Sequence, residues 1–290
     1  MGFSYARRVR SWLLLPFVTL AALGCSDGEE GDGPGPQTVT LIAGETTLDI
    51  DTGRGSVELR RGDVAILTLP ADAFVLGSVA EVDDSANYDP APMMNHDPAA
   101  NEPEGLAWHP GSRLFVQQST ATSVTLRVAH TGGFESEAVF AVADDDRIRA
   151  ELRPLAAERL AYLGLSAQVG ADEAFYGLGE YFDSVNHRGK VRAMQLEATG
   201  ALESTNNEAH VPIPFVTGTR GFGLFVESPY PAAFDVAKAE PDRVLATFGT
   251  GLASSEGLVF HLFSAAHPLD VTRHYYAVTG QPRLPARWGL

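Results

Sequence analysis

Candidates for moving protons are three histidines, His187, His210 and His261, with Glu180, Glu197 or Glu208 as partners. A histidine acid and a glutamate base can act together only if the fold brings both to one reacting centre. His261 lies in an apolar run, where a hydrogen-bonded core histidine is the simpler reading. Asp83, Ser85 and Asn87 place oxygen ligands at alternate positions, as a calcium loop does. The glycine and distal glutamate of an EF-hand are missing, so a solvated loop is expected there and no metal site is assigned. Glu180 and Arg188 are spaced to form a charge-assisted pair across a turn. Cys25 is the only cysteine, so no intrachain disulfide can form and the core alone must hold the fold.

The elements that must position these side chains read as β-strands. Ser123–Val128 alternates apolar and polar residues, as a half-buried strand does. Val64–Leu69, Ala138–Val142, Gly221–Val226, Leu245–Phe248 and Leu258–Phe263 are similar short runs between turn residues. The last is nearly continuous in apolar residues, as a strand buried on both faces would be. Many short strands with few helical periods predict an all-β, antiparallel sandwich. One helix is expected over Pro268–Ala277, with proline near its first turn and Gly280 as its stop. Residues 83–110 show no period and predict a surface loop or an insertion at a sheet edge.

The N-terminus has a separate logic. Arg7, Arg8 and Arg10 precede an uncharged apolar run, Trp12–Leu23. That run is too short to span a bilayer and fits a secretory signal. Ala22, Leu23 and Gly24 before Cys25 resemble a bacterial lipoprotein signal, with Cys25 the lipidated residue and the membrane a partner through that anchor. Ser26 in place of aspartate points to the outer membrane. Residues 26–37 form an acidic Gly/Pro tether with nothing apolar to bury. The net charge of −16 becomes three units more negative without residues 1–24. This disfavours nucleic acid as a partner and is compatible with a neutral substrate.

Three blocks carry a family resemblance. The first is Phe175-Tyr176-Gly177-Leu178-Gly179-Glu180, followed by Asn186-His187-Arg188-Gly189-Lys190. Two glycines around Leu178 permit close backbone approach or positive φ. The second is Val211-Pro212-Ile213-Pro214-Phe215, then Arg220-Gly221-Phe222-Gly223-Leu224-Phe225-Val226, which reads as strand, tight turn, strand. The third is Tyr275-Tyr276-Ala277-Val278-Thr279-Gly280, leading to Pro282-Arg283-Leu284-Pro285-Ala286-Arg287-Trp288. In this order the blocks resemble the N-terminal part of glycoside hydrolase family 31, the α-glucosidase and α-xylosidase family.

That resemblance implies a galactose-mutarotase-like β-sandwich over residues 38–270. Residues 271–290 would be a short helix and a crossing to a (β/α)8 barrel missing from this sequence. Both catalytic aspartates would come from that barrel, so no catalytic residue and no cofactor is assigned here. Retaining hydrolysis needs two carboxylates about 5 Å apart across the glycosidic bond. The sandwich would contribute one loop to a sugar subsite, corresponding to residues 194–210. Its candidate contacts to an α-glycoside are Glu197, Thr199, Asn206, Asn207, Glu208 and His210, all able to hydrogen-bond hydroxyls. Relatives often carry a Trp-Asn-Thr-Asp-like segment here, whereas this chain has Gln195-Leu196-Glu197-Ala198-Thr199. Alternatives are a non-catalytic sugar-binding or scaffold lipoprotein and, more remotely, an aldose epimerase using the histidines and glutamates above.

Overall fold

The computed structural model describes residues 35–95, 102–143, 146–194 and 211–283. Seventeen strands dominate. The first five are β1 (Thr38–Ala43), β2 (Thr46–Asp51), β3 (Ser56–Arg61), β4 (Val64–Pro70) and β5 (Phe74–Ser78). A short helix α1 (Ala91–Asn95) precedes β6 (Ala107–Ser119), β7 (Ser123–His130), β8 (Glu135–Val142) and β9 (Arg147–Pro154). Next come β10 (Leu160–Gln168), β11 (Phe175–Gly179), β12 (Lys190–Ala193), β13 (Pro212–Gly218) and β14 (Phe222–Glu227). The chain continues through β15 (Ala232–Val236), β16 (Arg243–Gly249), β17 (Leu258–Ser264) and α2 (Val271–Thr279). The strands called from sequence all appear, within three residues of their expected ends.

All pairings are antiparallel. The first sheet runs β12-β15-β16-β10-β5-β6, and the hairpins β1 to β4 join it where Thr68 meets Gln168. The second sheet runs β6-β7-β8-β9-β17-β14-β13-β11. β6 belongs to both. Its first residues pair with β5, and from Gly111 onward it pairs with β7 through two bulges. Bulges bend a strand and let it change sheets. Gly111 makes the corner possible, because a Cβ there would lie 2.2 Å from the Ala71 carbonyl oxygen.

The core lies between the sheets. Val124, Leu126 and Val128 of β7, Ala138 and Phe140 of β8, and Ile148, Ala150 and Leu152 of β9 point inward. Phe140 bridges the layers, with Phe74 of the first sheet at 6.4 Å and Phe260 of its own at 6.2 Å between centroids. The outward side chains of the same strands form ion pairs in solvent, such as Arg127–Glu135 and Arg149–Glu151. This alternation is what an antiparallel sheet with one wet face requires.

Among the described strands, β10 and β17 are buried on both faces, and each has a cover. Over β17, α2 packs Val271, Tyr275 and Val278 on Phe215, Phe225 and Phe263. Gly280, at φ 97°, ends that helix and donates its N–H to the Tyr276 carbonyl. Over β10, the segment after β5 brings Val79, Tyr88 and Met93 against Ala161 and Tyr162. The stretch 83–110 is therefore only partly the loop expected. Its described residues include α1, the buried side chains of Tyr88, Pro90, Ala91 and Met93, and the start of β6. Its apolar residues are too sparse to show a period, yet they shield the middle of the first sheet.

Candidate functional site

The block Phe175–Glu180 builds a backbone that few sequences permit. Gly177, Leu178 and Gly179 have φ of 103°, 61° and 102°. β11 bulges there, between its pairings to Val216 and Pro212. A Cβ on Gly177 would lie 2.3 Å from the Phe215 carbonyl oxygen, and one on Gly179 1.9 Å from that of Val211. Both glycines are fixed by close approach to β13, as expected from the sequence. Leu178 accepts the left-handed conformation while its side chain is fully buried in the core.

Beyond this bulge lies a buried cationic network. Arg192 of β12 is 1% exposed. Its Nε donates to His187 Nδ1 at 3.0 Å and its Nη2 to Asp183 Oδ1 at 2.7 Å. The guanidinium also lies over the Tyr181 ring, 4.2 Å from its centroid. Arginine can only donate, so His187 Nδ1 is the acceptor and Nε2 carries the proton. Nε2 gives that proton to the Gly177 carbonyl at 2.8 Å. Burial, then the Arg192 charge, push His187 below the usual imidazole range, so it stays neutral. Partial burial opposes ionisation of Asp183, but hydrogen bonds from Arg192 and Lys190 outweigh it and hold the carboxyl at about 2.

The network ends where the segment 195–210 begins. Tyr181 Oη donates to the Ala193 carbonyl at 2.8 Å, and Met194 N donates to the Ala232 carbonyl at 2.6 Å. On the far side, Glu180 N donates to the Val211 carbonyl at 3.3 Å. Both flanks of the segment are thus tied to strands by backbone bonds. The nearby turn carries two large exposed apolar side chains, Phe182 and Val185.

Residues 125–235 match the sequence profile of the glycosyl hydrolase 31 N-terminal galactose mutarotase-like domain. This stretch includes the Gly177–Gly179 bulge, the Arg192 network and the flanks of the segment. Over that stretch the chain is similar to a family 31 N-terminal domain. Over 129 residues it is 28% identical to the α-xylosidase XylQ of Lactiplantibacillus pentosus, covering 44% of the chain and 16% of the relative. Over 120 residues it is 26% identical to an isomaltosyltransferase of Sporosarcina globispora, covering 41% of the chain and 11% of the relative. The matched region thus spans a small part of either relative. A family 31 sulfoquinovosidase from E. rectale, solved with an aza-sugar inhibitor, has the same fold with a TM-score of 0.52 at 15% identity. That likeness covers 82% of this chain and 35% of the other.

The described residues do not gather the acid–base set of the epimerase alternative. His187 is committed to Arg192 and Gly177. His261 of β17 pairs with Glu227 at 3.2 Å and stacks with Phe225 and Phe263. Its Nδ1 is buried with no hydrogen-bond partner among the described residues, so it is less fully satisfied there than a core histidine was expected to be. Glu180 is exposed and does not pair with Arg188. Arg188 instead donates to the carbonyls of Gly170, Glu173 and Pro241 and lies over Phe175, because the part-buried Gly170 and Glu173 carbonyls need donors. Asp83 accepts from the Ser85 N–H and hydroxyl, closing a turn on itself. Glu197, Thr199, Asn206, Asn207, Glu208 and His210 fall outside the described residues, as does Cys25.

The sequence reading missed Arg192, Asp183 and Tyr181. It also missed Glu173, which is buried and accepts from the N–H groups of Gly170 and Arg220. The only available signal was an arginine placed one residue from Val191 and Ala193 in a strand.

Proposed function

We propose that this chain supplies the N-terminal sandwich of an exported α-glycosidase. The reading is carried by the profile match over residues 125–235, together with the three blocks in family order. In it, hydrolysis proceeds with retention by two aspartates of a (β/α)8 barrel that works with this sandwich. The sandwich contributes the segment 195–210, whose anchored flanks would hold Glu197, Thr199, Asn206, Asn207, Glu208 and His210 near a sugar. Lipidated Cys25 and the acidic tether would hold the assembly at a membrane, the outer one by the residue at position 26.

The test is the reading frame downstream of codon 290 and the activity of its product. A barrel with two facing aspartates, and release of aryl α-glucoside or α-xyloside with retained configuration, is the expected result. A stop codon at that point, with no hydrolysis by the purified protein, would refute the glycosidase reading.

A further inference from the structure

The outer face of the first sheet holds a cavity of about 480 Å³. Small-molecule sites commonly run from about 300 to 1,000 Å³. Its floor is built from outward-facing residues of three neighbouring strands: Val75 of β5, Ser166 of β10, and Leu245 and Thr247 of β16. One wall is Trp108 of β6. A Cβ on Gly77 would lie 2.7 Å from the Trp108 ring and 2.8 Å from the Tyr162 Cβ, so the indole rests on bare backbone. The Tyr162 ring supports it from the side, at 5.4 Å between centroids. Backed in this way, the indole is still 41% exposed.

The rest of the lining combines apolar Met93, Met94 and Pro110 with a charged group of Asp72, Glu102, Glu240 and Arg243. Arg243 donates to both oxygens of Asp72, at 3.2 and 2.8 Å, and to Ser166 at 3.3 Å. Its Nε faces Glu240 at 3.3 Å. This brace fixes the Asp72 carboxylate, whose side chain remains 46% exposed and keeps lone pairs free for a ligand. Glu102 and Glu240 are exposed at the rim. Three carboxylates face one guanidinium, so the site repels anions. A flat aromatic surface beside fixed carboxylate acceptors suits a neutral ring bearing hydroxyls. The C–H face of such a ring packs on the indole while its O–H groups donate to the carboxylates.

We propose that this cavity is a saccharide-binding site, with Trp108 as its stacking platform and Asp72 and Glu240 as hydroxyl acceptors. These residues lie outside the segment 195–210, so the site stands or falls independently of the glycosidase reading.

The experiment is titration of the full chain with maltotriose and with isomaltotriose, followed by tryptophan fluorescence and by calorimetry. Saturable binding is expected for at least one sugar. Trp108→Ala should weaken it about tenfold or more, and Trp108→Phe by no more than about threefold. Glu240→Gln, a rim change that leaves the core alone, should weaken it about threefold. It also decides the matter if Trp108→Ala fails to fold. Absence of saturable binding up to about 50 mM of either sugar would overturn the proposal. So would binding that Glu240→Gln and a folded Trp108→Ala leave unchanged, which would place the sugar elsewhere on the chain.

Discussion

A methyl group added at Gly179 would sit 1.9 Å from the Val211 carbonyl oxygen, at a φ of 102° that side chains avoid. Gly179→Ala is therefore expected to cost about 3 kcal/mol or more of stability, measured by urea unfolding. At the same scale, Asp183 links stability to acid. Its folded value of about 2 lies below the unfolded carboxylate range near 3.9, so its contribution is complete above that range. It disappears as pH falls from about 4 through 2. The carboxylate is half exposed, so solvent screening leaves about 1 kcal/mol in that window. Asp183→Asn should flatten the acid limb of a stability-against-pH curve. An unchanged slope in that variant would contradict the assignment. The glycines announced themselves in the sequence, since two of them around one leucine imply an unusual backbone. Arg192 did not, because an arginine near a strand end reads as a solvated cation until the fold surrounds it with Tyr181, His187 and Asp183.

Among the elements, strands with simple alternation were legible. β7 shows inward Val124, Leu126 and Val128 against outward Thr125 and Arg127. β17, apolar but for His261 and Ser264, was legible as a strand covered on both sides. β6 was not, because Pro110-Gly111 within it reads as a turn. The strand survives them by changing sheets at that point, where pairing to β5 gives way to pairing to β7. The candidate site was less legible than the fold. Its flanks follow from backbone pairing, whereas the polar segment between them has no period from which to place a side chain. The α2 cover gives a prediction at this scale. Gly223 of β14 lies under the helix, and a Cβ there would fall 2.4 Å from Val271 Cγ1. Gly223→Ala should lift α2, raising amide exchange over residues 271–279 while β7 to β9 keep their protection. Equal exchange in both proteins would show that the helix tolerates the methyl.

For the whole molecule, the composition is acidic, with a net charge of −16, and offers a single thiol near the N-terminus. If Cys25 carries the anchor, Cys25→Ser should move the protein from the detergent phase to the aqueous phase in a cloud-point partition. Partition that is identical for both proteins would remove the anchor from the account. A protein anchored in that way would gain solubility from its acidic charge.

The pairing of β9 with β17 sets a timetable for synthesis. Residues 147–154 must wait for residues 258–264 before their free edge is covered. Roughly a hundred residues separate the two, which is about 5–20 s of ribosome time at ~5–20 residues per second. Throughout that interval β9 presents an unpaired strand edge to any neighbouring chain. A polypeptide kept unfolded until it has crossed a membrane would never spend that interval half built in the cytosol, so the proposed export and the topology would favour the same order of events.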